Sequence, residues 1–126
     1  MHRLFFATLL AIALASPSIA QVQRQFPQNA LRGQVLFGQP PHVALNGEPK
    51  QLAPGSRIRG TNNMIVLSGS LVGSSGAVHY TIDPLGQIKD VWILRTDELT
   101  NLPWPRSANE AQAWSFDPTA QRWTRP

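Results

Sequence analysis

Histidines are the side chains in this chain best suited to metal ligation or proton transfer, and beyond the N-terminal segment there are two, His42 and His79. Each precedes a hydrophobic residue on a predicted strand, not at the spacing of a helical metal pair. A copper or zinc site would need both imidazoles brought together with Met64 or Asp83. His79, Thr81 and Asp83 share one strand face, so a His–Asp pair is conceivable, but no activated nucleophile accompanies it. The chain has no cysteine, which removes thiolate metal sites, redox pairs, cysteine nucleophiles and disulfides.

The remaining polar residues mostly have local structural work. Asp83 and Asp117 stand in turns, Asp97 and Glu98 at a helix start, and Glu110 in a capping box. Asp90 has no such role, and a buried hydrogen bond to Tyr80 would account for it. Ser68–Gly76, SGSLVGSSG, contains neither GxxxxGK nor GxSxG, so it reads as a loop with Leu71-Val72 as a brief strand. The expectation is a non-catalytic protein with no cofactor. A small metal-binding protein or enzyme using His42 and His79 is the alternative.

Binding residues are easier to nominate. Four tryptophans, Trp92, Trp104, Trp114 and Trp123, are many for so small a chain. Such rings anchor interfaces, but here they are read first as the glue between C-terminal helices and a sheet, in place of disulfides. Trp104 is the exception: held between Pro103 and Pro105 on a predicted loop, it is expected to be exposed and to face a partner together with the Arg57/Arg59 edge. That partner would be an envelope protein, a peptide or a glycan. The formal net charge of +4 is spread along the chain, whereas nucleic-acid binders cluster theirs, so no nucleic-acid partner is expected. A weak affinity for anionic lipid or polysaccharide stays open.

The elements that must position these residues begin after residue 20. Residues 1–20 have a basic start at His2 and Arg3, an apolar run Leu4–Ala15, and small residues at Ser18 and Ala20. That order predicts a signal peptide cut between Ala20 and Gln21, with an N-terminal membrane anchor as the alternative. The expected address is therefore periplasmic or secreted. Gln21 is not cysteine, which excludes lipoprotein-type anchoring, and no membrane span is expected after cleavage.

The rest reads as one domain: a flexible lead-in over 21–31, a β-rich core over 32–95, and a helical and turn-rich cover over 96–126. The fold class is mainly β, with α+β character at the C-terminus: a small antiparallel barrel or sandwich of about six strands and one or two short helices. Gln34–Phe37, His42–Leu45 and Lys50–Leu52 are strands, the last two joined at Asn46-Gly47. Ala53-Pro54-Gly55 is a turn before Arg57-Ile58-Arg59. Met64–Leu67 is an apolar run suited to a strand buried on both faces.

Ala77–Leu94 is the best-specified hairpin. Asp83-Pro84-Leu85-Gly86 forms its turn, with Gly86 left-handed. A three-residue loop would match Ile82 with Ile88, Tyr80 with Asp90 and Val78 with Trp92. Thr96 would cap a short helix. Ser107 and Glu110 would cap a second, Ala108–Trp114, docked through Ala111 and Trp114. Residues 115–123 form a final mini-hairpin.

The strings FGQPPHVALNGEPKQLAPGSRIRGTNNMIVLSGSL, VHYTIDPLGQIKDVWIL, LPWP and WSFDPTAQRW together resemble a set of small, uncharacterised exported (periplasmic) proteins of Gram-negative bacteria. The likeness covers most of residues 32–126. It implies a soluble exported domain and supplies no catalytic residues. YTIDPLGQIKDVWIL is also similar to one hairpin in the C-terminal domain of TonB-type energy transducers.

Overall fold

A computed structural model describes residues 22–126. The expected signal segment and its Ala20/Gln21 cleavage point lie outside the described residues. Five strands close into a barrel in the order β1-β2-β3-β5-β4: β1 Leu31–Phe37, β2 His42–Leu45, β3 Glu48–Arg59, β4 Ser75–Ile82 and β5 Ile88–Ile93. All pairs are antiparallel except β3 with β5. Two short helices follow, α1 Thr96–Leu99 and α2 Ala108–Ala113, and then a separate two-stranded sheet, β6 Ser115–Asp117 with β7 Arg122–Thr124. The protein is mainly β, as expected. No helix among the described residues is long and apolar enough to cross a membrane.

Local chemistry explains the joints. Asn46 and Gly47 adopt φ of 53° and 80°, the double left-handed geometry of a tight hairpin turn, and place Leu45 opposite Glu48. Ala53-Pro54-Gly55 is not a turn. It is a bulge inside one long strand, with Gly55 at φ 74° and the register to β5 shifting between Leu52 and Arg57. The bulge bends β3 so that its first part pairs with β2 and its second with β5. Met64–Leu67 also departs from expectation. Met64, Ile65 and Leu67 are 66%, 58% and 77% exposed, and only an isolated bridge joins Ile65 to Arg59. The second part of β3 has β5 on one side and meets this run on the other only through that bridge and two backbone hydrogen bonds, Gly60 N–H to the Met64 carbonyl and Val66 N–H to the Ile58 carbonyl. The run therefore adds no strand to the barrel, and only Val66 packs inward. The expected strand at Leu71-Val72 is replaced by a 3-10 turn over Ser68–Leu71.

The β4–β5 hairpin opens as expected, with Ile82 opposite Ile88 and Gly86 at φ 79°. A bulge then skips Lys89, so Tyr80 meets Val91 and Val78 meets Ile93, not Asp90 and Trp92. The extra residue matches apolar with apolar on the barrel's inner face, which an unbroken ladder could not. Asp90 instead accepts a hydrogen bond from Thr81 Oγ1 at 3.1 Å.

Two cores result. The first fills the barrel with Val35, Phe37, Leu45, Ile58, Val78, Tyr80, Ile88 and neighbours. Gly33 belongs to its wall: a Cβ there would lie 2.9 Å from Tyr80 Cε1 and 3.0 Å from Asn46 Oδ1. The second core sits against the outer face of β4 and β5 and joins Phe26, Ala30, Leu94, Trp104 and Trp123, with Trp92, Ala111, Trp114 and Phe116 packed on it. The tryptophans thus do fasten the C-terminal cover, and α2 docks through the two residues expected. The lead-in is not loose. Residues 22–30 form a strap whose Phe26 and Ala30 are buried in this second core.

Candidate functional site

His79 lies in β4 opposite Arg32 of β1 and Trp92 of β5, on the outward side that the cover conceals. It is 1% exposed. Its ring stacks on Trp104 with centroids 4.1 Å apart and meets the edge of Phe26 at 4.4 Å. Arg32 Nε and Nη2 both stand 3.2 Å from Nε2. A guanidinium has no acceptor, so Nε2 must accept and the imidazole carries its proton on Nδ1. Burial, reinforced by the positive charges of Arg32 and Arg24, pushes the imidazole down to about 2. His79 is therefore a neutral core residue that orients Arg32, whose Nη2 also donates to the Glu98 carbonyl at 3.0 Å.

His42 is far from it. β1 runs between the two strands, and Phe37 faces Val43 at one end while Arg32 faces His79 at the other. Five residues of strand separate those rungs, roughly 16 Å. His42 is exposed at the rim of β2. The histidines do not converge, and the described residues contain no group of three His, Asp or Glu placed to hold a metal. Asp83 is occupied in its own turn, where Oδ1 accepts from Leu85 and Gln87 backbone N–H groups at 2.9 and 2.8 Å.

Trp104 overturns its expectation. It is 3% exposed, donates Nε1–H to the Ala30 carbonyl at 3.0 Å, and packs on His79, Phe26, Phe116 and Trp123. The flanking prolines do hold it on a loop, but that loop lies over the outward face of β4, where the ring stacks on His79. Arg57 and Arg59 do point outward, Arg57 exposed and Arg59 half-buried, yet they lie on no sheet edge. β5 pairs with them on one side, and the segment around Ile65 and Val66 on the other. The surface proposed from sequence therefore keeps its arginines and loses its tryptophan.

An ion pair that sequence reasoning missed ties the strap to the ends of the barrel strands. Arg24 Nε donates to Glu98 Oε2 at 2.9 Å, and Nη2 pairs with Glu98 Oε1. The same guanidinium donates to the Gly60 carbonyl at 2.9 Å and the Ile93 carbonyl at 2.8 Å. Glu98 Oε1 also accepts the Arg95 backbone N–H at 2.9 Å, so Arg95, not Thr96, stands at the head of α1. The guanidinium groups of Arg24 and Arg32 are thus committed to structure, whereas the buried His79 Nδ1 and Trp123 Nε1 have no hydrogen-bond partner.

A cleft lies elsewhere, where the strap, the start of β1, the end of β4 and α2 meet. It measures about 740 Å³ and is lined by Gln28, Asn29, Leu31, Ile82, Ala108, Ala111 and Gln112. Leu31, Ile82, Ala108 and Ala111 give it aliphatic carbon, and Gln28, Asn29 and Gln112 give it three side-chain amides. None of its lining residues is ionisable. Amides give and accept hydrogen bonds, and the aliphatic groups take apolar ones. Sequence reasoning missed it because three distant segments build it and no one of them carries a motif. No protein-family model, curated protein or solved structure matches the chain.

Proposed function

We propose that the protein is an exported, non-catalytic binding module of the cell envelope, and that the cleft between α2 and the strap takes an uncharged peptide segment of an envelope protein. The neutral cleft of about 740 Å³, lined by aliphatic side chains and three amides, carries the reading. Amides at Gln28, Asn29 and Gln112 complement backbone N–H and C=O groups, and Leu31 and Ile82 suit an aliphatic side chain. No aromatic ring lines the cleft, so the stacking platform that favours sugars is missing. Export rests on the order of charge, apolar run and small residues in 1–20.

A photo-crosslinking amino acid at Gln112, with a control at Lys89 on the hairpin, tests this in living cells. Adducts specific to Gln112 are expected, and Ala108→Trp, which fills the cleft from an exposed position, should abolish them without unfolding the chain. Identical adducts from both positions, or adducts that survive Ala108→Trp, would refute the site. N-terminal sequencing should begin at Gln21; a retained Met1 would refute cleavage.

A further inference from the structure

The arginines that lost Trp104 have gained other companions. The Ile65 bridge places Arg59 opposite Ile65, and the Val66 N–H donates to the Ile58 carbonyl at 2.8 Å. Continuing that antiparallel register sets Arg57 opposite Leu67. Residues directly opposite project to the same face, so each exposed aliphatic side chain is set beside an arginine. Met64, one residue before Ile65, is exposed as well. Three large hydrophobic side chains within four residues, each more than half exposed, are unusual on a domain whose two cores bury most of its other aromatic and aliphatic residues.

The charge around this row is one-sided. No aspartate or glutamate occurs between Glu48 and Asp83. From the other side, β5 brings Asp90 beside Arg57, but Asp90 takes the Thr81 hydroxyl, and no ion pair joins it to Arg57 among the described residues. Val22, 83% exposed, shares a shallow pocket with Thr61, Asn62 and Asn63, at the start of the same loop. An exposed aliphatic row flanked by guanidinium groups matches the layered chemistry of an anionic bilayer, phosphate outside and acyl chain beneath. Each contribution alone is weak, and together they supply the two signals that reversible membrane association requires.

We propose that the face bearing Arg57, Arg59, Ile65 and Leu67 docks the domain on an anionic phospholipid surface. The aliphatic side chains enter the interface while the arginines hold lipid phosphates. This site is separate from the cleft, so either reading can fail without the other.

Co-sedimentation of the chain from Gln21 onward, which carries every element of the described fold, tests the proposal. The probes are vesicles of phosphatidylglycerol mixed with phosphatidylcholine, against vesicles of phosphatidylcholine alone. Partitioning onto the anionic vesicles is expected, falling at high salt. Arg57→Ala and Arg59→Ala should each weaken it about fivefold. Leu67→Asp should abolish it, with the urea midpoint unchanged because the side chain is exposed. Ala108→Trp should bind vesicles as the parent does. Equal binding to neutral vesicles would overturn the proposal, as would no binding to either. A dimer in sedimentation equilibrium that Leu67→Asp dissociates would also overturn it and assign the face to a second copy of the chain.

Discussion

Placing an imidazole between Phe26 and Trp104 removes its ability to ionise, and this ties His79 to the acid stability of the fold. In the unfolded chain a histidine titrates near pH 6.5; in the folded protein His79 is held down to about 2. Between those values the unfolded state binds a proton that the native state refuses. Stability from this residue is thus complete above about pH 6.5 and is lost as pH falls toward 2. Urea unfolding at pH 7 and pH 5 should show a loss of roughly 2 kcal/mol attributable to it. His79→Gln keeps an acceptor for Arg32 and cannot titrate, so its curve should flatten over that interval. An unchanged pH dependence in His79→Gln would show that other groups set it. Sequence could place His79 on a strand facing away from the barrel. It could not show that a second layer covers that face.

At the level of elements, the parts written in local chemistry were readable. Asn46-Gly47 set a hairpin, Asp83 to Gly86 set another, and Ser107 with Glu110 set α2, where the Glu110 N–H meets Ser107 Oγ at 3.2 Å. What escaped were features decided across the chain. The bulge at Lys89 exists because Tyr80 must face Val91 inside the barrel, and neither turn residue announces it. The apolar run Met64–Leu67 looks like a buried strand, but it meets β3 at a single bridge, Arg59 with Ile65, and leaves Met64, Ile65 and Leu67 exposed. β4 hides its outward face: Val78, His79, Tyr80 and Thr81 are all buried, so the polar half of its alternation marks a second packing surface, not solvent. The cleft and the Arg24–Glu98 pair were unreadable for the same reason. Each joins residues from segments far apart in sequence.

Gly33 shows the same dependence in one position. Glycine inside a strand is costly, yet here the Tyr80 ring occupies the space a side chain would take. Gly33→Ala should therefore lower stability by about 1–3 kcal/mol in urea unfolding, against the usual gain from replacing a strand glycine. A stabilised variant would mean that the ring moves freely aside.

The molecule as a whole is a barrel with a cover that shares its wall. All four tryptophans lie in or against the outer core, whereas the strand ladder belongs mainly to the inner one. Tryptophan fluorescence and far-ultraviolet circular dichroism thus watch different halves. Because β4 and β5 contribute to both, the two signals should follow one urea transition with a common midpoint. Separated midpoints would show that the cover detaches before the barrel opens. Cooperativity of this kind also explains how so short a chain dispenses with disulfides: two thin cores back to back leave little of β4 to water.

The cleft has a consequence that follows from its walls. Leu31 leans on the inner core and Ala111 on the outer one, with Ile82 ending the strand between them. A molecule lodged there would grip both halves of the protein at once. Thermodynamic linkage then makes occupancy a brake on unfolding, strengthening with ligand concentration relative to its dissociation constant. The protein would report its own ligand by melting later, whatever that ligand is made of.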